Sequence, residues 1–356
     1  MCKKYSALCS KSLRLTTISK HRVDKVDTYK AYRVSEVAEK QYRGELVELN
    51  INDLPEGEVL IEVSYSSLNF KDALSASGNK SVTREYPHTP GIDAAGVVVS
   101  SSNEQFSTGD QVIVIGYDLG MNTAGGFGQY IRVPASWVVK CPDGLSLKES
   151  MVLGTAGFTA ALCVEKLIQN DVTADSGDIL VTGATGGVGI VAVAILAKLG
   201  YRVVASTGKP DAGSLLEQMG ASELLDRAEL SEENPRPMLK ECWAGAVDVV
   251  GGDTLFNVVK SLHYGGSVAC CGLVQSPMFK ASVLPFILRG VNLLGVDSVQ
   301  LPLETKQRVW SKLAAEWKVE GLDAIYNEIG FDQLGDSLAA VLKGGATGRY
   351  VLNLKA

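Results

Sequence analysis

The sequence predicts an α/β protein in which a compact β-rich domain precedes a doubly wound parallel-sheet domain. Three observations carry that prediction. At 356 residues the chain exceeds one ordinary domain. Residues 29–150 show short alternating strands punctuated by Gly and Pro, whereas residues 151–294 alternate strands with helices. Within the second region, DILVTGATGGVG runs an apolar strand directly into a glycine turn and then a helix.

Composition bounds the function. Hydrophobic residues make up 46% and charged residues 21%, enough apolar content for a globular enzyme with a sizeable core. A net charge of −6 argues against nucleic acid, which needs a basic face. The most apolar segment, GIVAVAILAKLG, is too short to span a bilayer and carries Lys198, so no membrane insertion is expected. The seven cysteines, at 2, 9, 141, 163, 242, 270 and 271, form no CxxC pair. They suggest neither a zinc ribbon nor a disulfide framework, and a reducing, cytoplasmic location fits. Cys270 and Cys271, inside SVACCGLV, are expected to be small core hydrophobes.

In chain order, the first element is an appendage. The first 23 residues hold Lys3, Lys4, Lys11, Arg14, Lys20 and Arg22 with no acid before Asp24. That composition resembles an organellar transit peptide, which would place the protein in a matrix. No cleavage site is marked, so a disordered extension, or a start codon placed too early, is the preferred reading. Residues 1–28 are set apart from the fold. The β-rich domain follows with VLIEVSYSSLNF, AAGVVVSS, DQVIVIG and GQYIRVP as strands, and residues 295–356 return across the cleft to complete it.

The glycine turn is a dinucleotide site. Ile179, Leu180 and Val181 form the strand, and Val188, Val191, Ala192, Ile195 and Leu199 recur at helical spacing until Gly200 stops the helix. Against GxGxxG, Ala184 fills the first slot and Gly186 and Gly189 the others. The second glycine lets backbone approach a pyrophosphate, and the third lets helix and strand pack closely. Thr185, Gly186, Gly187, Val188 and Gly189 are therefore cofactor-binding candidates at a helix N-terminus. The next strand, YRVVAST, ends in Ser206, Thr207 and Lys209, with no acid before Asp211. An NAD site places an acid there for the ribose 2′-OH; hydroxyls and a lysine suit a 2′-phosphate, so the cofactor predicted is NADPH. Arg227, after the expected third strand, can reach the same end. VDVVGG (247–252) is a further strand, TLFNVVKSLHYGG a helix, and SVACCGLV a strand whose carboxyl end puts Gly272 and Leu273 near the nicotinamide.

SSLNFKDAL, TPGIDAAGVV and GTAGFTAALC, followed by the cradle, resemble the medium-chain dehydrogenase/reductase superfamily across residues 29–356. The resemblance implies a GroES-like catalytic domain (29–150, completed by 295–356) and a Rossmann domain (151–294). Zinc members carry His-Glu where this chain has Ile92-Asp93, and supply cysteines in a region that here has none between Cys9 and Cys141. With only His21, His88 and His263 in the chain no zinc ligand set assembles, and His88 is a loop histidine. The zinc-free branch reduces quinones or activated double bonds. PFILRGVNLLGVDSV and TGRYVLNLK sharpen the likeness to bacterial NADPH-dependent acryloyl-CoA reductases, whose outline quinone oxidoreductases share.

That likeness implies hydride transfer to the β-carbon of a thioester-conjugated alkene, with charge gathering on the thioester oxygen. Asn69 could donate to it through its amide, and Asp72 could orient a neighbour or relay a proton. Both have structural rivals: a turn side chain for Asn69, a helix N-terminal carboxylate for Asp72. Phe70 stands where relatives often have Tyr, so it would wall the nicotinamide while water, Asp72 or Tyr117 supplies the proton. Lys80, Arg84 and Arg289 are candidate partners for coenzyme A phosphates, with Arg289 alternatively an anchor between domains. Ser298 and Arg349 recur in the family motifs as cofactor-side contacts, while Gly125 and Gly126 are turn glycines. A homodimer through VNLLGVDSV is implied as well. The alternatives are an NADPH:quinone or general enone oxidoreductase, and a non-catalytic NADPH-binding protein, towards which Phe70 alone leans.

Overall fold

The structure, a computed structural model, describes residues 27–356. The basic extension, its transit-peptide reading, and Cys2, Cys9 and His21 lie outside the described residues. The chain opens with an antiparallel hairpin, β1 (Thr28–Ala38) and β2 (Gln41–Asn50). It then lays down β3 (Val59–Ser67), α1 (Phe70–Ala76), β4 (Asp93–Ser101), β5 (Gln111–Ile115), β6 (Tyr130–Val133) and β7 (Val138–Lys140). Alternation explains the hairpin's attachment: Tyr29, Ala31 and Val34 on β1 are buried, and Val34 bridges to His88. His88 is thus no free loop residue. It is buried, and its Nε2 lies 3.0 Å from the Gly120 carbonyl.

A long helix, α2 (Leu147–Gln169), carries the chain across. Strands and helices then alternate: β8 (Ile179–Val181), α3 (Gly187–Lys198), β9 (Val203–Thr207), α4 (Gly213–Gln218), β10 (Glu223–Asp226), α5 (Ala228–Ser231), β11 (Trp243–Asp248), α6 (Gly252–Lys260), β12 (Leu262–Cys270), α7 (Leu284–Arg289) and β13 (Asn292–Gly295). These six strands make a parallel sheet in the order β10-β9-β8-β11-β12-β13. Strand order reverses between β8 and β11, which is the switch point where open α/β sheets bind ligands. One boundary differs from expectation. The helix foreseen through TLFNVVKSLHYGG stops at Lys260, because Leu262 is fully buried and already pairs with Trp243 on β11.

The chain ends with α8 (Leu303–Ala314), β14 (Tyr326–Ile329), α9 (Phe331–Leu342) and β15 (Arg349–Asn353). The last two strands join the first sheet, ordered β14-β15-β3-β4-β5-β7 with β6 on β3. Residues from both ends of the sequence therefore share one sheet, and the nucleotide sheet is inserted between them.

The expectation about membrane spans is corrected by α2. It has 23 residues and a mean hydropathy of 1.5 over its most apolar window, long and apolar enough to cross a bilayer. That window is 83% buried inside the protein, so its apolar character is accounted for by packing. One continuous core runs from Ala95, Ile113 and Ile115 on the β-rich side, through Phe158, Cys163 and Leu167 of α2, to Val181, Ile190 and Val247. Trp310 of α8 packs on Phe158 at 5.8 Å between ring centroids and is fully buried. Its Nε1 has no hydrogen-bond partner among the described residues.

Trp310→Ala should destabilise the protein by about 3–5 kcal/mol in urea unfolding, the cost of an unfilled core cavity. Trp310→Phe should cost much less, because it keeps the ring and removes a buried donor that is already unsatisfied.

Candidate active site

The cradle is built by backbone geometry. Gly183 adopts a left-handed φ of 57°, and the Gly186 N–H closes the turn on its carbonyl at 2.9 Å. A Cβ on Gly189 would fall 2.4 Å from the Gly183 oxygen, so only glycine lets α3 sit this close to β8. A Cβ on Gly186 would meet only that oxygen, at 3.3 Å, leaving the turn open on its other side. Among the described residues, the N–H groups of Gly187, Val188 and Gly189 meet no carbonyl. Free donors at the start of a helix suit a pyrophosphate.

The second half of the cradle is cationic. Ser206 is buried at the end of β9, and the Thr207 and Thr185 hydroxyls lie 3.3 Å apart. The Arg227 side chain packs over Gly208, whose Cβ would lie 2.4 Å from its Nε. Lys209 stands beside it, its pKa lowered by burial and by the Arg227 charge. Neither makes an ion pair among the described residues; the Lys209 ammonium rests on the Ala346 carbonyl at 2.5 Å. Two neighbouring cations without a carboxylate fit a dinucleotide that carries a 2′-phosphate.

A second centre forms around Asp93, which the sequence marked only as the substitute for a zinc ligand pair. Asp93 is fully buried and accepts from the Ser67 hydroxyl at 2.5 Å, the Asn69 amide at 2.8 Å, and both the N–H and hydroxyl of Thr155. The Arg349 guanidinium lies 4.0 Å away. It donates to the Val152 and Leu68 carbonyls and faces the Asn69 side-chain oxygen at 3.4 Å. The convergence depends on Gly154, which breaks α2 with φ 51° and ψ −158°. A Cβ there would strike Ser67 Oγ at 2.3 Å and Asp93 Oδ2 at 2.5 Å. The break also turns the Thr155 N–H towards the carboxylate.

Asn69 caps α1, and its amide is engaged: one short bond to Asp93 and a longer one, 3.3 Å, to the Ser67 carbonyl. Asp72 has no face on the cleft. It is fully buried and accepts from the N–H groups of Asn69, Gly91 and Ile92, which ties α1 to the PGID turn. Burial and the nearby Asp93 push its carboxyl up to about 7, against those three donors. The structure thus gives Asp72 a positioning role in place of contact with a substrate. Phe70 is partly exposed at the start of α1.

A cleft of about 530 Å³ opens at the carboxyl ends of β12 and β13, lined by Leu162, Lys166, Cys270, Cys271, Val296 and Leu301 among others. Cys270 and Cys271 are half-buried on its wall and pack against the edge of the core, as small hydrophobes do. The Tyr117 hydroxyl donates to the Leu301 carbonyl at 3.0 Å, and its ring stacks on Trp137. Tyr117 holds a left-handed φ of 52°, a conformation costing on the order of 1–3 kcal/mol for a side chain of this kind. Behind it, the fully buried Lys306 points its ammonium at the ring, 3.4 Å from the centroid, and donates to the Ile115 and Val299 carbonyls. Burial pushes Lys306 down to about 7, opposed by Asp93 and Asp297. The sequence held a signal for it: Lys306 interrupts the apolar stripe of Leu303, Trp310 and Leu313 on α8.

Other candidates lie elsewhere. Gly272 touches the Val249 backbone and Leu273 is exposed beside it. Ser298 is buried and accepts from the Thr159 hydroxyl. Lys80 faces Glu36 at 3.7 Å and the Tyr86 ring, while Arg84 lies on the same loop. Arg289 is not gathered with them. Its guanidinium binds the Lys260 and Leu239 carbonyls and pairs with Glu241, at the far side of the nucleotide sheet. Gly125 and Gly126 have no positive φ; they allow close packing on Pro90, Gly91 and Asp93. No three His, Cys, Asp or Glu side chains gather as a metal site among the described residues.

A doubly wound sheet with a phosphate cradle, joined to a β-rich domain across a cleft, defines a dinucleotide-dependent oxidoreductase. Residues 55–143 match the alcohol dehydrogenase GroES-like domain, and residues 187–316 the zinc-binding dehydrogenase family. The chain is 45% identical over 307 residues to the putative quinone oxidoreductase YhfP of Bacillus subtilis, covering 86% of this chain and 93% of that one. It is 44% identical over 309 residues to the acrylyl-CoA reductase AcuI of Ruegeria pomeroyi, covering 87% and 94%. The crystal structure of Escherichia coli YhdH with bound NADPH superposes with a TM-score of 0.88 at 40% identity, covering 91% of this chain and 99% of that one. The chain belongs to the medium-chain dehydrogenase/reductase superfamily, in the zinc-free branch that holds these reductases.

Asp72→Ala should lower stability by about 2–3 kcal/mol, since it leaves buried N–H groups without an acceptor. The raised carboxyl gives a sign for pH. Stability from protonated Asp72 is complete below about 4 and is lost as pH rises through about 7. Urea unfolding of Asp72→Asn should therefore show a steadily improving balance against the wild type between pH 4 and 8.

Proposed function

We propose that this NADPH-dependent oxidoreductase reduces the activated C=C bond of acryloyl-CoA to propanoyl-CoA without a metal. The observation that carries the proposal is the pairing of a 2′-phosphate-type cradle with the Asp93 centre, in a chain over 40% identical to a reductase of that name. NADPH, when bound, supplies a hydride for the β-carbon. The chain's own residues do the rest. Lys209, Arg227, Ser206 and Thr207 hold the 2′-phosphate, and the free N–H groups of Gly187, Val188 and Gly189 hold the pyrophosphate. Thr185 lies between them, and Gly272, Leu273, Ser298 and Phe70 frame the nicotinamide end. Asp93 and Arg349 fix the Asn69 amide. Its longer bond, to the Ser67 carbonyl, leaves one N–H to be drawn towards the thioester oxygen as charge gathers there. Conjugation to the thioester already activates the alkene, so no Lewis acid is required.

A second reading, an NADPH:quinone or enone oxidoreductase, is favoured by the identity to YhfP and by the apolar wall of Leu162, Val296 and Leu301. Lys80 and Arg84 remain the candidates for coenzyme A phosphates; Lys80 would have to leave Glu36 to serve. We also propose a homodimer. The edge strand β13 exposes Leu293, and α7 just before it exposes Ile287 and Leu288.

NADPH oxidation with acryloyl-CoA, crotonyl-CoA and a soluble quinone at matched concentrations separates the readings. A specificity for acryloyl-CoA of at least about tenfold, or about 1.4 kcal/mol, supports the first, and quinone turnover with inert thioesters supports the second. Binding of NADPH without turnover of any acceptor would make the chain a binding protein. Lys209→Met should weaken NADPH about tenfold while leaving NADH unchanged, measured by nicotinamide fluorescence. Leu293→Lys should convert a dimer to a monomer in sedimentation.

A further inference from the structure

Reduction of an alkene needs two deliveries, a hydride at one carbon and a proton at the other, and the residues placed so far account only for the first. Phe70 has no acidic hydrogen. Asp72 has no face on the cleft. Asp297 lines the cleft, but both its carboxylate oxygens are engaged as acceptors for the Val299 and Gln300 N–H groups. Lys166 is tied to the Gly295 carbonyl, and burial pushes the Cys270 thiol up to about 11. Tyr117 differs from these: it stands behind the cleft wall, and its hydroxyl meets only the carbonyl of Leu301, a residue of that wall.

We propose that Tyr117 hands the α-carbon its proton, and that Lys306, seated against its ring, supports the phenolate this leaves. The assignment rests on the alkene-reductase reading above. In the step, the O–H bond of Tyr117 breaks and the enolate electron pair forms the new C–H bond at the α-carbon. The phenolate then takes a proton from water entering the open side of the cleft. Burial raises the phenol above its ordinary pKa, which keeps the proton on the donor at neutral pH. Lys306 makes no ion pair among the described residues, and its Nζ lies 3.4 Å from the ring centroid. In its protonated form its field therefore acts on the ring, and a phenolate there favours that form. The charged groups around the pair are Asp93 on β4, Asp118 beside Tyr117, and Asp297 in the loop after β13.

The geometry is held in place from several sides. Gly116 has a left-handed φ of 71°, and a Cβ there would press on Val299 at 3.1 Å and on Lys306 Nζ at 3.2 Å. The Tyr117 N–H donates to the Val299 carbonyl at 3.2 Å. Lys306 donates to that same carbonyl and to Ile115. Trp137 stacks on the ring's other neighbourhood at 5.5 Å. The strained turn sets the hydroxyl against the Leu301 carbonyl, next to the cleft wall, while α8 brings Lys306 to the ring.

Turnover in D₂O tests this. The wild type should place deuterium on one face of the α-carbon of the product thioester. Tyr117→Phe should lower kcat about a hundredfold, with KM and NADPH affinity within about twofold, and should lose the facial selectivity. Lys306→Met should lower kcat about tenfold, and the double variant should be no slower than Tyr117→Phe alone. Lys306→Arg, which keeps a charge at the ring, serves if the methionine variant does not fold, and should retain more activity than Lys306→Gln. Full kcat with unchanged facial selectivity in Tyr117→Phe overturns the donor assignment. A double variant slower by the whole Lys306→Met factor overturns the role of Lys306. No turnover of any thioester or enone by the wild type sinks the alkene reading itself, before any variant is made, and takes this assignment with it.

Discussion

A buried carboxylate organises the catalytic half of this molecule. Asp93 is fully buried, a placement that is costly for a carboxyl group unless its lone pairs are met. Four chain segments meet it: Ser67 at the end of β3, Asn69 at the start of α1, Thr155 within α2, and Arg349 at the start of β15. Because a half-satisfied buried charge is worse than none, the segments cannot shift independently. The broken helix at Gly154 is the clearest consequence. A continuous α2 would direct the Thr155 N–H along the helix, and the carboxylate would lose its partner.

The same constraint links the two sheets. Arg349 belongs to the last strand, yet it reaches Val152 on α2 and Asn69 on α1. Just before it in sequence, the Gly348 N–H donates to the carbonyl of Thr185 in the cradle, and Ala346 meets Lys209. The returning chain is therefore a short structural path between the nucleotide cradle and the Asp93 centre. With α2 filling the space between the sheets, the cleft has walls from both domains but one common core.

These two halves differ in how legible they were. The cradle is local: strand, turn and helix fall within some twenty residues, and glycine spacing expresses backbone closeness directly. The absent acid after β9 was likewise visible, since a ribose contact comes from a fixed point in the motif. The Asp93 centre joins positions separated by up to 280 residues, and Ser67 or Thr155 carries no mark of such a contact. Asp72 was legible as a residue of interest with two readings, and the structure favours the helix N-terminal carboxylate over the proton relay. Sequence cannot make that choice, because it does not show a carboxylate sealed under three N–H groups. The apolar length of α2 was missed for a related reason. The apolar run of α2 is interrupted by Thr and Ser, so it looked ordinary, although as a helix buried on nearly all sides it is the most apolar long element of the fold.

The placement of positive charge gives the two halves a common logic. The chain is acidic overall, with a net charge of −6, and several of its surface cations pair with acids, as Lys140, Arg202 and Arg308 do. Lys209 and Arg227 at the cradle, and Lys306 behind the Tyr117 ring, make no ion pair among the described residues. An unpaired cation in a partly dry site is expensive, and folding alone would favour a carboxylate beside it or an apolar residue in its place. At the cradle the missing anion is a phosphate that arrives with the cofactor. At Lys306 no anion arrives from outside, because the site is sealed behind the Tyr117 ring. Burial lowers Lys306 to about 7, so it gives up its proton readily, and the phenolate proposed at Tyr117 is the charge that would hold it protonated.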